Sequence, residues 1–143
     1  MEPFVTLGPG AERNGFTSML AQLVRDNLTE RPGKKDTLRR MRGRVALVIE
    51  DLQMVVTLHF HDGGVTIYDD FHGIPDTTVR TSSEWITKMS LVELEPRFGL
   101  PDPRGEVARE VAKASADGAI QVTGAVAHLP LMLRMTKLLS VVG

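Results

Sequence analysis

Two β-type segments on either side of Asp62-Gly63 constrain the fold of this chain more than any other feature. Met54–His61 alternates apolar and polar side chains, and residues 64–71 continue as a second β-type segment. Asp-Gly is typical of a two-residue type I′ hairpin turn. The register set by this turn brings apolar residues opposite each other, in the pairs Phe60–Val65, Leu58–Ile67 and Met54–Phe71. The sequence therefore predicts an antiparallel hairpin with one buried face, on which Asp69 is misplaced opposite Val56.

The remaining patterns complete an α+β order. Apolar residues at helical spacing from Phe16 to Val24 predict a first helix, capped by Asn14 and ending near Thr29. Further strands are expected at residues 44–50, 77–81 and 119–123, and further helices after Ser82, at 104–115 and at about 126–139. Because hairpins dominate over βαβ units, we expect an α+β fold with a five-stranded, mainly antiparallel sheet covered by helices on one face.

Length and composition narrow the function classes. A chain of 143 residues suits one domain, which we place at residues 15–143 after a loose N-terminal arm at 1–14. A net charge of -1 argues against a nucleic-acid partner. Without cysteine there is no thiol catalysis and no cysteine-bound metal. With neither a signal peptide nor an apolar stretch of membrane-spanning length in the sequence, we expect a cytoplasmic protein.

The last predicted helix is apolar over an unusually wide arc. At about 100° per residue, its apolar side chains cover about 220°, and Arg134 and Lys137 occupy the narrow polar strip. Such an arc needs more than one apolar neighbour. A doubly buried core helix, a ligand cavity, a homodimer interface and a membrane interface all satisfy it. Methionines such as Met132 and Met135 would give an adaptable lining to a cavity.

Three segments together resemble the sterol carrier protein-2-like lipid-binding domain. They are residues 118–124 (GAIQVTG) leading into the apolar helix, residues 75–81 (PDTTVRT) leading into the helix with Trp85, and the meander ending at Asp62-Gly63. The resemblance covers roughly residues 15–141. It implies a five-stranded α+β fold, an internal apolar tunnel and non-enzymatic binding or transfer of fatty acyl chains, sterols or similar lipids, with no catalytic residue or cofactor. Residues 91–113 are longer than the matching family segment, so they could cap or fill the tunnel.

We expect the lipid to contact apolar side chains of the first helix, the hairpin and the helices that follow. The candidates are Phe16, Leu20, Leu23, Phe60, Trp85, Met89, Leu129, Met132 and Met135. Plain core packing is the alternative reading of each. A homodimeric module without a ligand cavity is the alternative function.

The densest basic segment lies between residues 34 and 44. Its members are Lys34, Lys35, Arg39, Arg40, Arg42 and Arg44. Basic side chains are attracted to anionic membrane surfaces, so we expect this segment to assist transient membrane contact. A solvated turn is the alternative reading.

Histidines and acids offer weaker alternatives. His59 and His61 share one face of a strand, but an extended strand would place His72 about 20 Å from His59, too far to share a metal ion. We therefore expect no metal site. Asp69 and Asp70 point to opposite faces of a strand and cannot act on one bond together. A lipid-modifying enzyme that uses Asp69 or the histidines is the least favoured alternative.

Overall fold

The computed structural model describes residues 4–94, 100–124 and 127–141. The strands are β1 Val5–Leu7, β2 Gly43–Ile49, β3 Met54–His61, β4 Gly64–Tyr68, β5 Thr77–Thr81 and β6 Gln121–Thr123. The helices are α1 Gly15–Glu30, α2 Lys34–Arg39, α3 Ser83–Met89, α4 Glu106–Asp117 and α5 Leu129–Leu139. Among the described helices, none combines the length and apolar character needed to cross a membrane.

The strands form one mixed sheet in the order β1-β4-β3-β2-β5-β6. The pairs β2–β3, β3–β4 and β5–β6 are antiparallel, whereas β1–β4 and β2–β5 are parallel. The α+β class and the mainly antiparallel sheet are confirmed. The described sheet has six strands rather than five, and the additional strand is β1.

Strand β1 lies within the segment that the sequence analysis treats as a loose arm. Val5 is buried, and the strand is joined to β4 by Val65 N–H donating to Phe4 and Gly8 N–H donating to Ile67, both at 2.8 Å. Three residues are too few to show an alternating pattern, so the strand leaves no clear signal in the sequence. The expectation of a loose arm is therefore wrong for residues 5–7.

The central hairpin has the predicted turn and register. Asp62 and Gly63 both have positive φ, 52° and 79°, as a type I′ turn requires. Phe60 pairs with Val65 and Leu58 with Ile67. However, β4 ends at Tyr68, so the expected pairing of Met54 with Phe71 does not form.

The chain folds back after β4. The Thr57 hydroxyl donates to the carbonyl of Asp70 at 2.6 Å and accepts from His72 N–H at 3.2 Å. Asp69 is exposed, which corrects its expected place on the apolar face. If β4 continued past Tyr68, the Asp69 side chain would be buried; because the strand ends there, this side chain is exposed to water.

Helices cover one face of the sheet. Inward residues of the strands, such as Leu47 and Phe60, share one core with Leu20 of α1 and with Met135 and Leu138 of α5. The predicted cap of α1 is present, because the Asn14 side chain accepts from Phe16 N–H at 2.9 Å. The opposite sheet face carries polar residues.

The last helix is shorter than expected. It begins at Leu129 instead of about 126, with Pro130 in the first turn, where no intrahelical N–H bond is lost. Residues 125 and 126, where the prediction places its start, lie outside the described residues. Gly124 has φ +84 and ends the preceding strand.

Residues 91–113, the segment that is longer than its counterpart in the family, lie partly in α4 and partly beside α5. Its helical part belongs to α4, which packs against α3 and is joined to it by Lys88 and Glu110 at 2.7 Å. Leu100 lies beside the outer side of α5. Residues 95–99 lie outside the described part, so the expectation that this segment caps or fills a tunnel stays a prediction.

Candidate functional site

Helix α5 is apolar on two sides, and the structure gives each side a different environment. The inner side is buried in the core through Leu131, Met135, Leu138 and Leu139. On the outer side, Leu129 is 51% exposed. The wide arc is thus divided between the core and a surface groove.

The groove lies between α2 and α5 and has a volume of about 320 Å³. We call it the α2–α5 groove; its lining residues are Thr37, Arg40, Leu100, Leu129, Pro130, Leu133, Arg134 and Lys137. A second groove of about 290 Å³ continues toward the start of α5, lined by Arg40, Met41, Arg42, Ala127, His128, Pro130, Leu131 and Arg134. The two grooves meet at Arg40, Pro130 and Arg134.

Three of the residues that line the groove are cationic, namely Arg40, Arg134 and Lys137. Arg134 donates from Nη1 to the carbonyl of Arg40 at 3.3 Å, which holds the two residues at one corner. Within the described parts of the chain, neither set of lining residues includes an aspartate or a glutamate. Asp76 comes within 4.0 Å of His128 in the second groove. A groove lined by both apolar and cationic side chains suits an amphiphilic ligand.

Side chains of α1 and α2 donate hydrogen bonds to the C-terminal end of α5. Asn27 donates from Nδ2 to the carbonyls of Leu138 and Leu139 at 3.0 and 3.1 Å. Lys34 donates from Nζ to the carbonyl of Ser140. These donors satisfy carbonyls that a helix end leaves without intrahelical partners.

Lys34 therefore has a structural position rather than a surface one. It is only 3% exposed, and burial, helped by the nearby charges of Arg31 and Lys137, lowers its pKa to about 8. The expected membrane contact through Lys34 is wrong, because the ammonium group is occupied inside the protein.

The other five residues of the basic segment lie in three different parts of the structure. Lys35 and Arg39 lie 5.5 and 5.9 Å from the centre of the Phe4 ring. Arg40 and Arg42 reach the grooves on α5. Arg44 pairs with His59 across the strands. The six basic residues that were expected to contact a membrane therefore do not form one continuous surface.

The nine residues predicted to contact lipid divide by burial. Leu20, Phe60, Met89 and Met135 belong to the buried core, and Phe16, Leu23, Trp85 and Met132 pack against it while partly exposed. Leu129 is the member of this set that lines the α2–α5 groove. The lipid contacts stay a prediction. Leu133 and Arg134 were not among the predicted contacts, although their places on α5 were signalled by its wide arc and narrow polar strip.

The histidines lie closer together than an extended strand would allow. The ring of His59 lies 4.4 Å from that of His61 and 6.2 Å from that of His72, which stacks on Tyr68 at 3.6 Å. The predicted 20 Å separation is wrong because the chain folds back after Tyr68. Burial and the nearby Arg44 charge lower the pKa of His59.

Within the described residues, no group of three histidine or carboxylate side chains is arranged to hold a metal ion. The guanidinium of Arg44 adds a repelling charge beside the histidines. Asp70 is exposed and accepts from the N–H of Phe71 at 2.7 Å. The expected opposition of Asp69 and Asp70 across a strand does not arise, since both follow the end of β4.

Comparison with known proteins identifies the fold. Neither the protein-family models nor the curated proteins include a match. Among solved structures, a UbiJ-SCP2 ubiquinone synthesis protein superposes with a TM-score of 0.62 at 14% identity, covering 90% of this chain and 98% of that chain. A crystal structure of sterol carrier protein 2 gives 0.51 at 14% identity, covering 85% and 91%. This chain has the sterol carrier protein-2-like fold.

Proposed function

We propose that this protein binds a lipid or a similar apolar ligand and carries it without chemical change. The observation that carries the proposal is the double apolar character of α5, which closes the core on one side and lines an open groove on the other. The fold supports it, since both structural neighbours bear names that refer to sterol carrier proteins. A groove of about 320 Å³ falls within the usual size of small-molecule sites.

In this proposal the acyl or isoprenoid part of the ligand starts at Leu129 and Leu133 and extends beneath α5. Met135 and Phe60 are buried in the core, so a tunnel there would open only when side chains of α5 move outward. Met132 and Met135 suit such a change, because the unbranched thioether side chain repacks at little cost. The nine predicted contact residues would then line the opened tunnel.

The first experiment is extraction of the natively purified protein with organic solvent, followed by mass spectrometry. We expect a stoichiometric lipid. If none is recovered, titration of the protein with a fluorescent fatty acid supplies the second measurement. A protein that yields no lipid and binds no fatty acid would contradict the proposal.

A matched pair of variants tests the groove. Leu129→Asp places a charge in the groove, while Leu52→Asp places the same charge at a leucine of similar exposure, 51% against 48%. We expect the first to weaken fatty-acid binding about tenfold or more, because a carboxylate that must lose water when the chain binds replaces an apolar contact. The second should leave binding unchanged. Equal binding by both variants would place the ligand elsewhere.

A homodimer is the second candidate, favoured by the exposure of Leu129 and Leu100. A two-fold interface on this surface would bring Arg40, Arg134 and Lys137 of one copy close to the same residues of the other, and this like-charge contact opposes it. A mass that rises with protein concentration, with no bound lipid, would favour the dimer.

A further inference from the structure

The cations of the α2–α5 groove differ from Arg39 and Lys88, each of which lies beside a carboxylate. Elsewhere, Arg39 lies 3.0 Å from Asp36 and Lys88 lies 2.7 Å from Glu110. At the groove, Arg40, Arg134 and Lys137 line one site, and no carboxylate is among the lining residues that the structure describes. Since the whole chain has a net charge of -1, this concentration of positive charge is local.

Arg40 and Arg134 both line the place where the two grooves meet. Arg134 uses Nη1 to reach the carbonyl of Arg40, and Arg40 itself caps the end of α2. A guanidinium carries five N–H donors, so this single contact leaves Arg134 most of its capacity. Arginine binds carboxylate and phosphate groups through paired, charge-assisted hydrogen bonds.

The same groove also has apolar lining residues. Leu129, Pro130 and Leu133 of α5, together with Leu100, line the same groove as Arg40 and Arg134. The volume of about 320 Å³ suits one lipid chain better than a protein helix. An anion with an apolar tail matches both parts of the surface at once.

We propose that the ligand is an anionic amphiphile, with its phosphate or carboxylate headgroup held by Arg40 and Arg134 and its chain lying along Leu129 and Leu133. This inference rests on the proposed lipid-binding function and adds the chemical class of the ligand. The headgroup stays at the protein surface while the chain follows α5.

The test compares two lipids that differ in the headgroup. The full-length protein is titrated with monomeric 1-oleoyl-lysophosphatidate and with monoolein, which has the same chain and no charge. We expect the anionic lipid to bind about tenfold or more tightly, because a charge-assisted hydrogen bond contributes more than a neutral one. The double variant Arg40→Gln/Arg134→Gln should lose this preference and keep its affinity for monoolein.

Two exposed arginines provide the matched control. Arg25 and Arg109 are exposed on α1 and α4, and Arg25→Gln/Arg109→Gln removes the same charge away from the groove. This control should retain the preference for the anionic lipid. If the double variant fails to fold, Arg40→Gln alone replaces it, since the contact with Arg134 uses the backbone carbonyl of Arg40 and survives this substitution. This single variant should weaken the preference for the anionic lipid.

The outcomes separate the two proposals. Equal binding of both lipids by the unaltered protein overturns the anionic ligand and leaves lipid binding standing. Failure to bind either lipid overturns both. Displacement of the lysophosphatidate by inorganic phosphate at similar concentration would mark a free-anion site and overturn the role of the chain. Binding only to vesicles containing anionic lipid, and never to the monomer, would mark a membrane surface and also overturn the proposal.

Discussion

Lys34 is the residue whose environment differs most from the one that its sequence context predicts. A lysine in a basic segment next to Pro32-Gly33 predicts a solvated side chain, yet this one is buried against the end of α5. Its partner, Ser140, is 106 residues away. Local sequence gives no sign of such a distant contact. By contrast, the Asn14 cap lies within three residues of the N–H groups that it satisfies, and the sequence predicts it.

The buried ammonium predicts a defined pH dependence of stability. Its pKa is about 8 in the folded protein and 10.5 when the chain is unfolded. Between these values the unfolded state holds more protons, so the free energy of unfolding rises with pH, by at most about 1.4 kcal/mol per unit. Lys34→Met should remove this rise. Urea unfolding followed by fluorescence of Trp85, the single tryptophan, measures it between pH 8 and 10.

Lys35→Met serves as the control, because it removes a neighbouring charge that is not bonded to Ser140. This variant should keep the pH-dependent rise of the unaltered protein. A difference in unfolding free energy between the unaltered protein and Lys34→Met that stays constant with pH would contradict the assignment.

At the scale of elements, the hairpin is well predicted and the short strands are not. The Asp62-Gly63 turn and the alternation of Met54–His61 specify the β3–β4 register almost by themselves. The pattern of apolar residues does not show where β4 ends. It therefore does not predict that the chain folds back after Tyr68, where the Thr57 hydroxyl holds the following residues. That return also brings His72 to His59.

Two glycines allow the stability cost of a left-handed backbone to be measured apart from the cost of a steric clash. Gly118 and Gly124 both have φ +84. A Cβ at Gly118 would meet nothing within 4 Å, whereas one at Gly124 would lie 2.4 Å from the carbonyl oxygen of Asp76. Gly118→Ala should therefore cost about 1–2 kcal/mol from the left-handed backbone alone.

Gly124→Ala should cost at least about 1 kcal/mol more than Gly118→Ala, because β6 and the start of β5 must separate to admit the methyl group. Urea unfolding of both variants under the same conditions gives the comparison. Equal losses would mean that the chain relaxes around the added methyl group.

For the whole molecule, the fold class follows from the sequence and the candidate groove does not. The order of hairpins and amphipathic helices indicates α+β packing, and the wide arc of α5 indicates a second apolar contact. The groove, however, joins α2, Leu100 and α5, which are far apart in the chain. Which side of α5 faces the core depends on that packing, so Leu129 was grouped with the buried Met135.

The domain boundary at residue 15 stays a prediction, and the packing of β1 gives reason to test it. Val5 is buried beside Val65, while Thr6 on the same strand is exposed. Truncation to residues 15–143 should lower the free energy of unfolding by at least about 2 kcal/mol, the usual contribution of one buried valine or leucine. Val5→Ala should lower it by about 1–2 kcal/mol, and Thr6→Ala by much less. An unchanged stability of the truncated chain would support the boundary at 15.

Strand β1 also affects how copies of this protein meet one another. Both outer strands of the described sheet, β1 and β6, are three residues long, and β1 covers the five-residue strand β4. An uncovered strand offers a row of free N–H and C=O groups that a strand from another molecule can pair with, which is a common start of aggregation. Proteolysis in the Gly8–Gly10 turn would leave β1 joined to β4 by noncovalent contacts alone. Release of the cut segment would then expose such a row on β4, so we expect the cleaved protein to aggregate more readily than the intact one.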